Sequence, residues 1–335
     1  MIRIGLIGCG FMGSTHLQAY LALGEENVKV VAIADVREEK RNDAVKLCGA
    51  VAYESAAELL EKADVDVVDI CLPTYMHTEY AVAAMKKGLT VFLEKPLCLT
   101  AEDADLLVRT QKETGVQVMI GQVIRLWDEY KWLKDVKDEE RFGKVESAYF
   151  KRVSSYPTWA WEGWLHKPEC GGSVATDMHI HDTDFIRYFL GEPEDVKSTA
   201  ARDKDGQISH IFTSFSYPEG VAVGVECCWD YPPDFPFAAE YRVKFEKATV
   251  QYTGGVVTVY PKEGGSYVQE MPKTCNIESE RGGNISSLGG YYNELKYFVD
   301  TLNKGEELTI APASDAAKSL KLILKEIELA GGVVK

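Results

Sequence analysis

Asp177 and His181 are four residues apart. In a helix that spacing puts both side chains on one face. An imidazole with a carboxylate neighbour is an acid/base pair that can give or take a proton near neutral pH. Asp184, three residues further on, falls near that face. The structural alternative is a pair that serves helix stability alone. Lys95 is the second residue of note. It lies in Glu94-Lys95-Pro96, directly after the apolar run Thr90–Leu93. Pro96 bars the run from continuing as a paired central strand, so the chain turns there. Lys95 thus comes to a strand end, where an ordinary solvated lysine is the alternative. Leu72-Pro73-Thr74 and His77 follow an earlier apolar run in the same way. Thr74 or His77 can touch a ligand, and Thr74 or Thr78 can cap a helix.

Aromatic residues surround these groups in sequence. Trp159, Trp161 and Trp164 precede Asp177. Their faces stack on sugar rings, and they also fill cores. Tyr156, Tyr291 and Tyr292 carry hydroxyls suited to a polar substrate or to packing. Gln122 and Arg125 follow another predicted strand and can line a cleft. The expected substrate contacts are Arg125, Tyr156, Trp164, His181 and Tyr291. A metal reading of His166, Cys170, His179 and His181 fails. His179 and His181 cannot both face one ion from a regular helix, and the usual ligand spacing is lacking. No metal is expected.

The elements that must position these groups begin at residue 2. Gly8-Cys9-Gly10-Phe11-Met12-Gly13 follows the apolar run Ile2–Ile7, and Asp35 closes the next run, Val28–Ala34. This reads as strand, glycine turn, helix, strand, acid. Gly8 permits the tight turn, Gly10 lets backbone approach a pyrophosphate, and Gly13 lets the helix pack on the sheet. The helix N-terminus offers unpaired N–H groups to phosphates. Asp35 stands 22 residues after Gly13, where its carboxylate can accept from both ribose hydroxyls. A bound dinucleotide is expected.

Up to residue 121 apolar runs alternate with helical segments, which predicts an α/β, doubly wound parallel sheet of Rossmann type. Its ligands bind beyond the carboxyl ends of the strands, where Thr74, His77 and Lys95 fall. Ser55 and Thr100 are expected helix N-caps. Beyond residue 121 alternating strands dominate, separated by turns such as Asp205-Gly206 and Gly254-Gly255. Helices are expected over 174–190, 291–303 and 313–330. The expected domains are therefore 1–121, dinucleotide-binding, and 122–335, an α+β domain on a large, mostly antiparallel open sheet.

Bulk properties narrow the function. The chain has 335 residues, which suits about two domains. A net charge of −15 argues against nucleic acid, which needs a basic footprint. No apolar run reaches the roughly 18 residues of a membrane span. Met1-Ile2-Arg3 leads straight into the first strand, so no leader is expected. Eight scattered cysteines form no CxxC and suit reduced thiols in the cytoplasm.

Together these motifs resemble the glucose–fructose oxidoreductase/inositol dehydrogenase (Gfo/Idh/MocA) family over essentially the whole chain. The resemblance rests on the glycine turn, Leu72-Pro73-Thr74 with His77, Glu94-Lys95-Pro96 and Gly171-Gly172. It extends to Asp177-x-x-x-His181-x-x-Asp184 and Tyr291-x-x-Glu294-Leu295-x-x-Phe298. It implies that the first domain binds NAD or NADP. It implies that the second presents an open sheet as a subunit interface, giving a homodimer or homotetramer. Members mostly oxidise a sugar or cyclitol hydroxyl or reduce the corresponding ketone. Carried onto this chain, His181 is the general base, Lys95 holds the substrate oxygen, and Asp177 orients substrate or His181. Besides the glycine turn, the expected cofactor contacts are Asp35, Arg37, Leu72, Pro73, Thr74 and His77, with Glu94, Lys95 and Gln122. Asp35 favours NAD, while Arg37 two residues later leaves NADP use open. His179 departs from the pattern and has no expected role. Rival functions are a glycosidase acting by transient oxidation with NAD, and a non-catalytic dinucleotide sensor. A sensor has no need of Lys95, Asp177 and His181.

Overall fold

The computed structural model describes residues 1–272 and 288–333, so Cys275 lies outside the described residues. The described residues of Met1–Leu126 and Lys273–Lys318 form one compact unit, and those of Trp127–Pro272 and Ser319–Lys335 another.

In the first unit β1 (Ile2–Ile7) leads through the glycine turn into α1 (Phe11–Leu23). Then come β2 (Val28–Ala34), α2 (Glu38–Cys48), β3 (Val51–Tyr53), α3 (Ala56–Lys62) and β4 (Val67–Ile70). The unit continues with α4 (His77–Lys86), β5 (Thr90–Glu94), α5 (Ala101–Thr114) and β6 (Val118–Gly121). All strand pairs are parallel, in the order β3-β2-β1-β4-β5-β6. The order reverses between β1 and β4, so a crevice opens beyond the ends of those two strands. Ser55 and Thr100 cap α3 and α5 by accepting from the backbone N–H of Glu58 and Asp103. β3 is absent from the sequence-based expectation. It is three residues long and mostly exposed, so it carries no apolar run.

In the second unit α6 (Asp128–Asp138) precedes β7 (Val145–Ser155), the short α7 (Pro168–Gly171) and α8 (Ile180–Leu190). The strands β8 (Asp195–Arg202), β9 (Ile208–Ser216), β10 (Ala222–Tyr231) and β11 (Ala238–Phe245) follow. Next are β12 (Ala248–Thr253), β13 (Val256–Pro261) and β14 (Tyr267–Gln269). They form an eight-stranded sheet in the order β14-β13-β12-β11-β7-β10-β9-β8. Every pair is antiparallel except β7 with β10. One face is apolar and buried, with Ile211, Cys227, Val243, Val250 and Val259. α6 was also not anticipated, because only Tyr130, Leu133 and Val136 of its eleven residues are buried.

Two late helices complete the chain. α9 (Gly289–Asn303) returns to the first unit. There Phe298 packs edge-on against Phe92, with centroids 5.2 Å apart. α10 (Ala313–Leu329) gives its first turns to the first unit and the rest to the second. The helix expected over 174–190 has a break in regularity. Ala175–His179 forms a π-turn, and the α-helix proper starts at Ile180. Such turns widen the spacing of side chains and are frequent at functional sites.

Candidate active site

The glycine turn is shaped by close approach. Gly8 has φ +94°, and a Cβ there would lie 2.5 Å from the carbonyl oxygen of Cys71. A Cβ on Gly13 would lie 1.8 Å from the carbonyl oxygen of Gly8, so only glycine lets α1 sit this close to β1. Phe11 and Met12, half-buried, open the helix. Asp35 is almost fully buried at the end of β2. Its Oδ2 accepts from the Cys9 N–H at 2.7 Å and from Arg37 Nη2 at 2.8 Å. Its Oδ1 accepts from the Arg37 N–H at 2.8 Å and Nε at 3.0 Å. Burial pushes the Asp35 carboxyl up, but these hydrogen bonds from Arg37 and Cys9 outweigh it and hold the group below its ordinary value. All four acceptor positions are thereby filled. A ribose diol would therefore have to displace the Arg37 guanidinium. Gln122, just beyond β6, has a buried Oε1 with no hydrogen-bond partner among the described residues. A turn that excludes Cβ atoms at Gly8 and Gly13, a strand-end carboxyl that can accept a diol once Arg37 yields, and an orphaned amide oxygen together fit a dinucleotide.

Lys95 follows β5 and is the one half-buried residue in the otherwise buried stretch 91–98. Its backbone N–H donates to Glu94 Oε2 at 3.0 Å. His77 is fully buried and ties two strand-end turns together. Its Nδ1 stands 2.8 Å from the Pro96 carbonyl oxygen and its Nε2 2.8 Å from that of Leu72. Burial pushes this imidazole below its ordinary value, against the pull of the two carbonyls. Thr74 is buried at the start of a short 3-10 turn, and Leu72 and Pro73 are half-buried beside it. Arg125 is buried and paired with Asp315 at 2.7 Å. Tyr291, on α9, lies with its ring centroid 6.3 Å from that of His16.

In the second unit, residues 174–187 are buried except Asp177 and His181, which are half-buried. The local sequence explains the start of this segment. The Thr176 hydroxyl donates to the carbonyl oxygen of Gly171 at 3.0 Å and accepts from the Ser173 N–H at 2.8 Å. The polar residues flanking His181 are spent on buried partners. Asp182 takes a two-pronged pair from Arg152 on β7, at 2.8 and 3.2 Å. Thr183 donates to Glu326 at 3.0 Å, and Asp184 accepts from the Ser319 hydroxyl at 2.6 Å. Asp184 is thus a structural anchor. His179, without a role in the sequence, is fully buried with Nε2 2.7 Å from Glu326 on α10. These anchors fix α8 from several sides, and Asp177 in the π-turn and His181 in the first turn of α8 keep part of their surface exposed. Tyr156 is exposed and stacked on His166 at 4.0 Å between centroids, and Trp164 is half-buried in the same loop. Trp159 and Trp161 are exposed.

Sequence reasoning missed a buried polar cluster behind Lys95. His16 of α1, Asp69 of β4 and Glu294 of α9 are all fully buried. The available signal was Asp69, an acid inside a strand predicted to be buried throughout.

Known proteins place this arrangement. A family model described as "Oxidoreductase family, NAD-binding Rossmann fold" matches residues 2–122, and one described as "GFO/IDH/MocA C-terminal domain" matches 130–251. The inositol 2-dehydrogenase of Rhizobium meliloti is 30% identical over 330 residues, 94% of this chain and 92% of that enzyme. The myo-inositol 2-dehydrogenase of Thermotoga maritima is 32% identical over 198 residues. That match covers 57% of this chain, and the chain spans only about half of that enzyme's length (55%). The structure of levoglucosan dehydrogenase in complex with NADH and levoglucosan superposes with a TM-score of 0.86 at 19% identity, covering 98% of this chain and 97% of that one. At that identity the likeness speaks for the fold. Both family models and the near full-length relative agree with the cradle and the two-sheet architecture. This chain, with its NAD-binding first unit, belongs to the Gfo/Idh/MocA oxidoreductase family.

Proposed function

We propose that this chain is an NAD-dependent dehydrogenase that oxidises a carbinol of a cyclitol or sugar, or reduces the matching ketone, with Lys95, Asp177 and His181 as its catalytic residues. The observation that carries this reading is the exposure pattern. In each of two otherwise buried stretches, 91–98 and 174–187, the half-buried residues are the ones suited to alcohol oxidation. Bound NAD supplies the hydride acceptor. His181 takes the hydroxyl proton, so that the O–H and C–H electron pairs end as a carbonyl and a transferred hydride. Lys95 holds the oxygen and steadies the negative charge that builds on it during proton loss. Asp177 orients His181 or a neighbouring substrate hydroxyl. Arg125, Tyr156, Trp164 and Tyr291 are proposed substrate contacts, and Leu72, Pro73, Thr74, His77 and Gln122 cofactor contacts. The inositol dehydrogenases among the relatives support the substrate class.

The active form is a homodimer or homotetramer assembled through the outer face of the second unit's sheet. That face carries Tyr149, Phe212, Val256 and Tyr260, and the last three are well exposed for large apolar groups. The cytoplasm is the proposed compartment. Seven described cysteines are free thiols, and no helix among the described residues is long and apolar enough to cross a membrane.

A panel of cyclitols, aldoses, ketoses and glycosides, followed by NADH absorbance, tests the reading. NADH release on at least one cyclitol or sugar is expected. Glycoside cleavage without net NADH would instead assign transient oxidation.

A further inference from the structure

We propose that His16 is a positioning residue for Lys95, acting through the carboxyl group of Glu94. This rests on the role given to Lys95 above. The groups form a continuous line inside the first unit. His16 Nδ1 lies 2.9 Å from Asp69 Oδ2, which also accepts from the Tyr20 hydroxyl at 2.9 Å. His16 Nε2 stands 3.0 Å from Glu94 Oε1, a charge contact poorly aligned for a hydrogen bond. The other oxygen of Glu94 accepts from the backbone N–H of Lys95 at 3.0 Å. From the far side Gly121 closes the space, since a Cβ there would lie 3.3 Å from the Glu94 carboxyl. Helix α1, strand β6 and the Lys95 turn therefore each fix the Glu94 side chain. The direction in which the turn presents Lys95 is set by that side chain.

The charges around His16 explain why an imidazole serves here. Asp69 faces it from β4 and Cys71 from just beyond that strand, Glu94 from β5, Glu294 and Tyr291 from α9, and Tyr20 from its own helix. Burial works against charging the ring, but the Asp69 carboxylate lifts it well above its ordinary value. Burial and Asp69 push the Cys71 thiol up, so it stays a neutral donor. An imidazolium donates one N–H to Asp69 and sets its positive charge 3.0 Å from Glu94, so one ring answers carboxyl groups on two adjacent strands. A metal held by His16, Asp69 and Cys71 is the competing reading, because their ligand atoms lie within 4.8 Å of one another. Two ligands of one tetrahedral zinc stand roughly 3.3–3.7 Å apart, given bonds of about 2.0–2.3 Å. The 2.9 Å separation of His16 and Asp69 is that of a hydrogen bond.

The test uses full-length protein labelled with ¹⁵N-histidine and ¹⁵N-lysine. In the wild type both ring nitrogens of His16 should carry protons from pH 6 to 8. Glu94→Gln should move the His16 ring signals and the Lys95 amide signal together. His16→Gln should shift the Lys95 amide and lower kcat by about 10–100-fold, the scale of a misplaced group. NAD affinity, read by fluorescence titration, should stay within about threefold. Combined with Glu94→Gln, the loss in kcat should be far less than additive, because both changes cut one line. A His16 ring with a single proton at pH 7 overturns the proposal, and this needs no variant to fold. So does a folded His16→Gln enzyme with kcat within twofold of wild type, or fully additive losses. Lys95→Ala separates the two readings. If it keeps normal turnover, the role of Lys95 fails, while the coupling of His16 to the Lys95 amide is read independently.

Discussion

Asp35 and Arg37 illustrate how one residue's partners change what its type suggests. A carboxylate at the end of β2 reads as a ribose anchor, but here each of its oxygens already receives two hydrogen bonds. Removing the Arg37 side chain frees two of those positions. Arg37→Ala should therefore tighten NAD by up to about fivefold, the reach of a partly exposed ion pair at ~0.2–1 kcal/mol. NADP binding should weaken, because the guanidinium is the group able to meet a 2′-phosphate. Titration of both cofactors by calorimetry checks the two directions. At His181 the expectation is catalytic. His181→Ala should lower kcat by about 10²–10⁴, the scale of a lost general base. It should change NAD affinity by less than about tenfold. Near-normal turnover, or a loss confined to cofactor binding, would remove His181 from the mechanism.

Helix α9 brings Glu294 into the core of the first unit beside Leu295 and Phe298. Burial, then Glu94, push the Glu294 carboxyl well above its ordinary value, with His16 opposing and Asp69 adding. The folded chain thus keeps a proton on Glu294 that the unfolded chain releases above about pH 4.5. Folding stability from this group is complete below that value and falls as pH rises toward the folded value. Glutamine mimics the protonated acid without this loss. Glu294→Gln should match the wild type near pH 4.5 and be the more stable protein at pH 8. Urea unfolding at both pH values measures the difference, and equal or lower stability at pH 8 contradicts the assignment. Helix α8 shows the complementary case. Its buried polar residues are paired with Arg152, Glu326 and Ser319, and the π-turn before it is held to Glu326 through His179, so tertiary bonds fix the segment.

Over the whole molecule, the second unit's sheet has one apolar buried face and an outer face with exposed aromatic residues. A broad sheet face of that kind needs cover. Light scattering at micromolar concentration should report a homo-oligomer. Phe212→Glu, on β9, should shift it toward smaller species by placing a charge on that face. A wild-type monomer would contradict the assembly.

The order of elements in the first unit was legible in sequence, because buried parallel strands read as apolar runs and Gly8 and Gly13 of the glycine turn leave no room for a Cβ. Ser55, Thr100 and the antiparallel strands β8 to β13 were legible for the same local reasons, whereas the three-residue edge strand β14 was not. The short edge strand β3 and the charged helix α6 were not, since neither carries a strong apolar pattern. The sequence also marks Lys95, Asp177 and His181 as candidates, for strand ends and helix spacing are local properties. Tertiary structure alone decided which polar residues are spent elsewhere. His179, Asp182 and Asp184 share a segment with His181, yet their partners are Glu326, Arg152 and Ser319, tens to more than a hundred residues away. It also decided that α9 covers the first unit's sheet. An amphipathic helix announces its apolar face, but not which core that face will join. Nor could sequence place His16 against Asp69 and Glu94. That contact exists only once three segments, distant along the chain, pack into one dry interior, where a charge must find its counterpart.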